Sequence, residues 1–539
     1  VDPAFALTRD NGAAVAGICR QLDGIPLAIE LAAARTAALS PQQIADRLGD
    51  RFQLLTGGSR TALPRHQTLE AAVDWSYDLL SETERAVLRR LSVFRGGFTL
   101  EAAEEVASGD GIEPAAVLDA LSHLVEQSLV TAERSGADTR YDLLETIRQY
   151  ALQRLRADDD MTAARQRHLD HVVALAEYAE PRFQSPAEGR WFDRFDTEYG
   201  NIRAAVEFAL GAGDAVSTVR VLAALQRFVS IREHRQDCKR WLDRALDLQD
   251  PAMTRTLEAA ALRTRGATMF GADPREARDD LVRARNLAEQ EGVTDLVAQA
   301  TFDLAGVERL TGNFDEATRL VELALDLAPD DWLRTGALVN LGILARYRGE
   351  LDRSIELFEE VLDLLGDIGS PWAISFTRSS LGISLYLKGE LEQAQEILEE
   401  QLADARLTNR AGAVEHLNLL GEIALARGEP EIARRRFLES MNMNQELGQT
   451  LTRTLAISAA GLAAALHDLG DHEEAARTEG FRTELENRFG VVLPPPTRQL
   501  LDAALPGIRA ALGDDAFEEA MAAGRQLEPA KLIAELAGG

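Results

Sequence analysis

The amino-acid sequence predicts a mostly α-helical protein with one β-hairpin, whose second half is a helical solenoid. Three observations lead to this prediction. Apolar residues recur every three or four positions through most of the chain, which is helical spacing. The period changes around Leu129–Val130 and Tyr141–Leu143, on either side of a polar turn, which indicates a hairpin. Four stretches after residue 300 align with one another, which indicates stacked repeats.

Length and composition narrow the class of protein further. A chain of 539 residues exceeds one ordinary core, so several domains are expected. The formal charge of −30 opposes binding to phosphate backbones, so we expect no direct contact with nucleic acid. Two cysteines cannot build a disulfide framework, and no apolar run reaches membrane length. These features favour a cytoplasmic protein without membrane contact, and a start at Val1 rather than methionine favours a fragment of a longer protein.

Residues 1–60 are predicted to form a small helical unit. Ala14, Ile18 and Leu22 make one apolar stripe. Pro26 suits the first turn of the next helix, because its missing N–H has no intrahelical partner to lose there. Ser40, which precedes Pro41, is the predicted N-cap of a further helix.

Residues 61–157 are predicted to form a winged-helix domain, in which helices precede a two-stranded wing and a last helix begins at Glu145. The stretch from Arg65 to Leu155 has nine arginines, no lysine and sixteen acidic residues, a balance of −7. A DNA reader needs a basic face, so the balance indicates a structural or switching role.

The rest of the chain is predicted to be a helical linker (158–219), a superhelical array of repeats (220–490) and a C-terminal helical cap (491–539). The repeats share a turn glycine, at Gly312, Gly349, Gly389, Gly428 and Gly470. Small residues such as Gly342 and Gly421 let the two helices of a repeat approach, and Phe358 and Phe437 fill the space between pairs. Helix pairs stacked in this way make a superhelix with a concave face.

Several stretches resemble one known family. CRQLDGIPLAIELAAAR, RHQTLEAAVDWSYDLL and YDLLETIRQYAL are similar to the GxP stretch and the winged helix of bacterial STAND-type signalling ATPases, relatives of the NB-ARC proteins. The repeats resemble tetratricopeptide (TPR) repeats, whose period is about 34 residues. The resemblance implies a sensor and coupling region of a transcriptional regulator. In such a protein the array binds an effector, and the winged helix relays binding to the protein's own upstream NTPase domain, which this chain lacks.

The resemblance also implies a nucleotide contact. It assigns Gly24 and Pro26 to contacts with the base of the nucleotide. These contacts can form only when the missing NTPase core is present. The alternative is that Pro26 merely starts a helix. No G-x-x-x-x-G-K-[ST] phosphate loop occurs in the sequence, so ATP or ADP is expected in the parent protein and no cofactor in this chain. Leu143-Leu144-Glu145 replaces the Met-His-Asp triplet that relatives often carry, which argues against phosphate sensing by this domain.

The effector is expected in the concave groove of the TPR array. The groove-facing offset of the TPR pattern selects ten residues: Gln299, Phe302, Arg309, Arg346, Tyr347, Phe376, Tyr386, Glu415, Asn418 and His467. Arg309 and Arg346 would make a positive spot suited to an anionic ligand or an acidic peptide. The alternative is that some of these side chains pack between helices, with Phe302 and Phe376 first among them.

Other partners and functions stay open. The effector could be a protein or a small molecule, and oligomerisation of the parent protein on activation is left open. The sequence predicts no catalytic residues and no metal site. One alternative function is a freestanding TPR scaffold for protein–protein interaction. Another is the regulatory half of a kinase or nucleotide cyclase fusion, whose chemistry would lie outside this chain.

We predict that this chain alone binds ATP or ADP weakly or not at all and hydrolyses neither, because it has no glycine-rich loop followed by a lysine. Calorimetry with each nucleotide and a phosphate-release assay check this, with a phosphate-loop ATPase as positive control. Steady turnover that disappears when a residue of this chain is replaced would contradict the prediction.

Overall fold

The computed structural model describes residues 9–21, 29, 32–33, 36, 39–47, 69–135, 138–232, 234–269, 273–408, 410–447, 452–489, 491 and 493–537. Across these residues the chain forms 27 α-helices and one two-stranded sheet, which confirms the predicted fold class. Gly24 and Pro26 lie outside the described residues. The chain divides into two compact units, 1–303 and 304–539, which we describe separately.

The first unit contains the N-terminal helices, the hairpin and the first helix pairs of the solenoid. Its elements are α1 Arg9–Gln21, α2 Pro41–Arg47, α3 Leu69–Asp78, α4 Glu82–Leu91, α5 Leu100–Ala107, α6 Pro114–Glu126, β1 Thr131–Ser135, β2 Asp138–Asp142, α7 Glu145–Ala157, α8 Met161–Ala179, α9 Glu188–Ala212, α10 Ala215–Ala224, α11 Gln226–Ile231, α12 Arg235–Asp247, α13 Arg255–Met269, α14 Pro274–Glu291 and most of α15 Thr294–Leu310.

The second unit contains the best-aligned repeats and the C-terminal helices. Its elements after the end of α15 are α16 Phe314–Asp326, α17 Asp331–Tyr347, α18 Leu351–Ile368, α19 Pro371–Lys388, α20 Leu391–Thr408, α21 Arg410–Ala426, α22 Pro430–Glu446, α23 Thr452–Leu469, α24 His472–Phe489, α25 Pro495–Leu512, α26 Asp514–Arg525 and α27 Pro529–Ala537.

The winged helix forms as predicted. Helix α4 begins with a capping box, in which the Ser81 hydroxyl accepts from the Glu84 N–H and the Glu84 carboxylate accepts from the Ser81 N–H. β1 and β2 pair antiparallel, with Thr131 opposite Asp142. Phe98 adds a bridge to Tyr141 at the edge of this hairpin. The predicted hairpin is therefore confirmed.

Helix α9 is tied to the winged helix through the turn that contains Gly96 and Gly97. The Asn201 amide accepts from the Arg95 N–H at 2.6 Å and donates to the Gly97 carbonyl at 2.9 Å. Glu198 accepts from the Arg140 guanidinium of β2 at 2.7 Å. Asn201 and Glu198 are only 2% and 7% exposed, so these bonds are shielded from water.

In the second unit, a large side chain of the second helix of each repeat fills the space over a glycine. Phe358 lies against Gly342, and Phe437 lies between Gly421 and Gly461. Phe358 and Phe437 are fully buried. The turn glycines of the repeats all have positive φ, between +72° and +92°, a conformation that glycine adopts without steric cost. The predicted small-residue pattern therefore forms the helix contacts of the array.

A row of ion pairs follows one edge of the second unit. In each pair a cation at the end of one repeat's first helix meets a carboxylate on the second helix of the preceding repeat. The pairs are Arg348 with Asp315 at 2.8 Å, Lys388 with Asp352 at 2.9 Å and Arg427 with Glu392 at 2.8 Å. Because they are exposed, they contribute little stability individually and serve mainly to match neighbouring repeats.

The last three helices cover the end of the array. Leu501 and Leu505 of α25 pack on Ala456 and Ala460 of α23. Helix α26 packs so closely on α24 that a Cβ added at Gly524 would overlap the Arg477 carbonyl. Pro495 begins α25, because proline fits a first helical turn.

We predict that Gly461→Ala destabilises the protein by about 1–3 kcal/mol, because the new methyl group would overlap the Phe437 ring. Gly306→Ala is the matched control. It lies inside α15 with open space around its Cβ position, so it should raise stability by about 0.5–1 kcal/mol. Urea denaturation of both variants checks the pair. Equal effects of the two substitutions would contradict the proposed packing.

Candidate effector-binding groove

The candidate site lies on the first helices of consecutive repeats in the second unit. The sequence predicts that one face of α17, α19 and α21 lines a groove, and the end of α15 contributes Arg309. Contacts between neighbouring first helices confirm that they lie side by side, since Ser379 of α19 bonds to His416 of α21 at 2.8 Å. The helices thus place one row of side chains from each repeat along a shared surface.

Two guanidinium groups occupy equivalent places on this surface. Arg309 donates from Nε to Oδ1 of Asn340 on the next first helix at 3.1 Å. Arg346 donates from Nη1 to the carbonyl oxygen of Ser380, again on the next first helix, at 3.1 Å. Each arginine therefore reaches across to the middle of its neighbour, and the two form consecutive rungs of one row.

The surroundings disfavour the charge on both arginines. Burial lowers the pKa of Arg309, and burial lowers the pKa of Arg346 as well, helped by the nearby charge of Arg309. Among the described residues, no carboxylate contributes to either shift, and neither side chain forms an ion pair. Two half-buried positive charges thus lack an anionic partner in the part of the chain that the structure describes.

Aromatic side chains border the two arginines. Tyr347 is 57% exposed and stacks on Phe314, with ring centroids 5.1 Å apart. Trp372 and Phe376 are 37% and 41% exposed and stack with centroids 5.3 Å apart and rings 8° from parallel. Trp372 was missed in the prediction, although its place one helical turn before Phe376 puts it on the same face.

Tyr386, another predicted groove residue, contacts the chain's own helices. The pKa of Tyr386 is raised by burial and by its hydrogen bond to Glu422. Glu422 is 3% exposed and accepts from the Thr497 hydroxyl of α25 at 2.5 Å, and burial raises its pKa. Helix α25 therefore lies against this part of the predicted groove.

Asn418 and His467, which the sequence assigns to the groove, contact other helices of the chain. Asn418 is 4% exposed, donates to the Thr454 carbonyl and accepts from the Ser458 hydroxyl, both on α23. His467 lies against Gly507 of α25 and contacts His472 at 3.2 Å. Asn418 therefore bonds between α21 and α23. His467 lies against α25, whose return onto the array has no local signal in the sequence.

The remaining predicted residues lie on α15 and α21. Glu415 is exposed on α21. Gln299 and Phe302 are half-buried on the part of α15 that belongs to the first unit.

No group of three or more potential metal ligands occurs within the described residues. No helix in the described ranges combines the length and apolarity that crossing a bilayer requires.

Comparison with protein families identifies both kinds of domain. Residues 80–156 match a winged helix-turn-helix domain, and residues 337–371 and 456–478 match tetratricopeptide repeats. These domain families are not catalytic, and tetratricopeptide repeat arrays bind protein or peptide partners on their concave surfaces.

Two mycobacterial relatives illustrate the similarity. A protein of Mycobacterium tuberculosis named "Putative HTH-type transcriptional regulator" is 36% identical over 427 residues, which cover 76% of this chain and 47% of that protein. An uncharacterised protein of the same species is 44% identical over 169 residues, 31% of this chain and 43% of that protein. The chain spans about half the length of the curated relatives it matches.

A solved structure with a similar arrangement is that of a Signal Transduction ATPase with Numerous Domains (STAND) protein with a tetratricopeptide repeat sensor, from Pyrococcus horikoshii. It shares 15% identity at a TM-score of 0.47, over 89% of this chain and 74% of that one. The family matches agree with the winged helix and the tetratricopeptide repeats that the sequence predicts. The chain is similar to proteins named "Putative HTH-type transcriptional regulator" and contains a winged helix-turn-helix domain and tetratricopeptide repeats.

Proposed function

We propose that this chain is the sensor and coupling region of a STAND-type transcriptional regulator, and that its TPR groove binds an anionic effector at Arg309 and Arg346. The observation that carries this proposal is the pair of half-buried guanidinium groups, for which the described residues supply no carboxylate. A buried charge without a partner lowers stability, and an anion bound between the two would remove that cost.

The groups around the arginines suit recognition of an anion. The hydrogen bonds to Asn340 and Ser380 fix both guanidinium groups, and each keeps further N–H donors for a ligand. Carboxylate and phosphate groups accept such donors in pairs, which gives directional binding. Exposed Tyr347 adds contact area beside the charge.

The winged helix is proposed to relay this binding, because α9 holds it through buried hydrogen bonds at Asn201 and Glu198. A movement of α9 would therefore carry the Gly96–Gly97 turn and the wing with it. Such a switch needs a nucleotide, ATP or ADP, which an NTPase domain outside this chain would hold. Gly24 and Pro26 would lie against the base of that nucleotide.

The winged helix is not proposed to bind DNA. Helix α6, which follows the turn after α5 and precedes the wing, contains Asp119 and Glu126 and has no lysine or arginine. Arg140 of the wing is held by Glu198 and by the Gly96 carbonyl. A surface of this kind repels phosphate, so it suits contact with another protein domain.

We predict that the double variant Arg309→Gln with Arg346→Gln loses binding of an acidic probe and keeps or slightly raises the apo thermal midpoint, because two unpaired buried charges disappear. The probe is a fluorescein-labelled hexapeptide rich in glutamate, followed by anisotropy at low salt. In the full-length parent the same variant should abolish the response to the inducer.

The matched control is Arg319→Gln with Arg353→Gln, since both arginines are exposed and lie in local ion pairs on second helices. This control should leave probe binding and the thermal midpoint nearly unchanged. Binding that survives in the Arg309 and Arg346 variant, or a large fall in its thermal midpoint, would assign these arginines a structural role.

We predict that the chain does not bind DNA specifically, and that Asp119→Lys with Glu126→Lys creates salt-sensitive, nonspecific binding, because it reverses the charge of the α6 face. Fluorescence anisotropy of labelled DNA duplexes of mixed sequence measures binding by the unaltered chain and by the variant. The proposal that the winged helix contacts another protein domain would be refuted if the unaltered chain bound DNA sequence-selectively and Arg134→Ala, on the exposed wing, weakened that binding.

A further inference from the structure

Three arginines lie where the winged helix joins the helices that follow it, and the proposed relay does not use their side chains. Arg95 lies in the turn that bonds to α9, Arg156 lies at the end of α7, and Arg165 lies in the second turn of α8. All three belong to the first unit, whereas Arg309 and Arg346 belong to the second.

Packing between the winged helix and α8 places Arg95 close to Arg165. Phe94, which precedes Arg95, contacts His168 with ring centroids 4.9 Å apart. His168 follows Arg165 by three residues, so the two lie one turn apart on the same face of α8. The Arg165 guanidinium lies over the Phe208 ring of α9, 5.9 Å from its centroid, which holds this cation at the junction.

The charges of these three guanidinium groups oppose one another. Burial lowers the pKa of Arg165, and the nearby charges of Arg156 and Arg95 lower it further. No carboxylate contributes to this shift, and within the described ranges none of the three side chains forms an ion pair or a hydrogen bond. In a chain with a formal charge of −30, this is a local positive cluster that the protein itself leaves uncompensated.

The acidic residues between α7 and α8 do not neutralise the cluster. Asp158 pairs with Arg89 at 3.0 Å, and Asp160 pairs with Arg90 at 2.5 Å. Asp159, which lies between them, is exposed and forms no ion pair with a described residue. An anion from outside the chain is therefore needed to balance the three arginines.

We propose that Arg95, Arg156 and Arg165 bind the phosphate group of a small phosphorylated ligand. A phosphate monoester carries a charge of about −1.5 to −2 at neutral pH and has three acceptor oxygens. Three guanidinium groups from three different elements can each donate to a different oxygen, whereas a carboxylate offers only two oxygens in one plane. A duplex needs a longer basic face, and α6 has no lysine or arginine to continue one.

A bound phosphate would join the end of α7 and the turn at Arg95 to α8, and would remove the repulsion among the three cations. The ligand would therefore strengthen the contact between the winged helix and the linker helices. This site is independent of the groove and of the effector proposed for it.

Isothermal titration calorimetry with sodium pyrophosphate tests the site, at an ionic strength of about 0.15 M. The chain carries Arg309→Gln and Arg346→Gln, so that the groove does not contribute, and the unaltered chain is measured beside it. Pyrophosphate should bind at least about tenfold more tightly than citrate, which carries its charge on carboxylates. It should also slow hydrogen exchange of the Arg95 amide, which donates to Asn201.

Arg156→Gln with Arg165→Gln, added to this chain, should weaken pyrophosphate binding at least about tenfold. It should keep or slightly raise the apo thermal midpoint, because like charges are removed. The matched control is Arg435→Gln with Arg525→Gln, since both arginines are exposed and form no ion pair with described residues. This control should leave pyrophosphate binding and the thermal midpoint nearly unchanged.

Three results would overturn the proposal. The first is an affinity for pyrophosphate that the Arg156 and Arg165 substitutions do not change. The second is equal affinity for citrate and pyrophosphate, which would indicate general attraction of anions. The third is a large fall in the apo thermal midpoint of the variant, which would assign these arginines a structural role.

Discussion

A small buried hydrogen-bond network joins the winged helix to helix α9 of the linker, and the proposed relay depends on it. Asn201 of α9 accepts from Arg95, donates to Gly97 and also donates to Glu198 at 2.6 Å. Glu198 in turn holds Arg140 of the wing. A Cβ at Gly200 would overlap the Arg95 carbonyl, so only glycine allows the helix this close. Buried polar networks of this kind are rigid when every member is satisfied. The winged helix and α9 are therefore expected to move as one body.

The array shows a division between residues that build it and residues that are available to a ligand. Glycine against phenylalanine or leucine sets the distance between helices, as at Gly342 with Phe358 and Gly382 with Leu398. Three ion pairs on the edge join charged side chains of neighbouring repeats. Arg309 and Arg346 differ from these, because burial lowers the pKa of both guanidinium groups and no described carboxylate pairs with them. A feature that lowers stability without a structural gain is typical of a binding site.

Much of the fold could be predicted because its determinants are local. Turn glycines, small residues at helix contacts and apolar spacing are all visible in the sequence, and the structure places the hairpin and the repeats accordingly. The site could be predicted only in part. The TPR offset selected Arg309, Arg346 and Phe376, whose role in binding stays a prediction. The return of α25 onto the array is a long-range contact without a local signal. It changes the environment of Tyr386 and His467, and the loss of Asn418 to interhelical bonding has the same kind of origin.

Native-state hydrogen exchange of the whole chain in increasing denaturant tests the coupling most directly. If the network at Asn201 joins the winged helix to α9, two sets of amides should open with the same free energy and the same denaturant dependence. They are the amide of Tyr141, which donates to Phe98, and the amides of α9 around residue 201. In the Asn201→Ala variant, the amide of Tyr141 and the amides of α9 should then open with different free energies. Independent opening of the wing in the unaltered chain, at a much lower free energy than α9, would contradict the account.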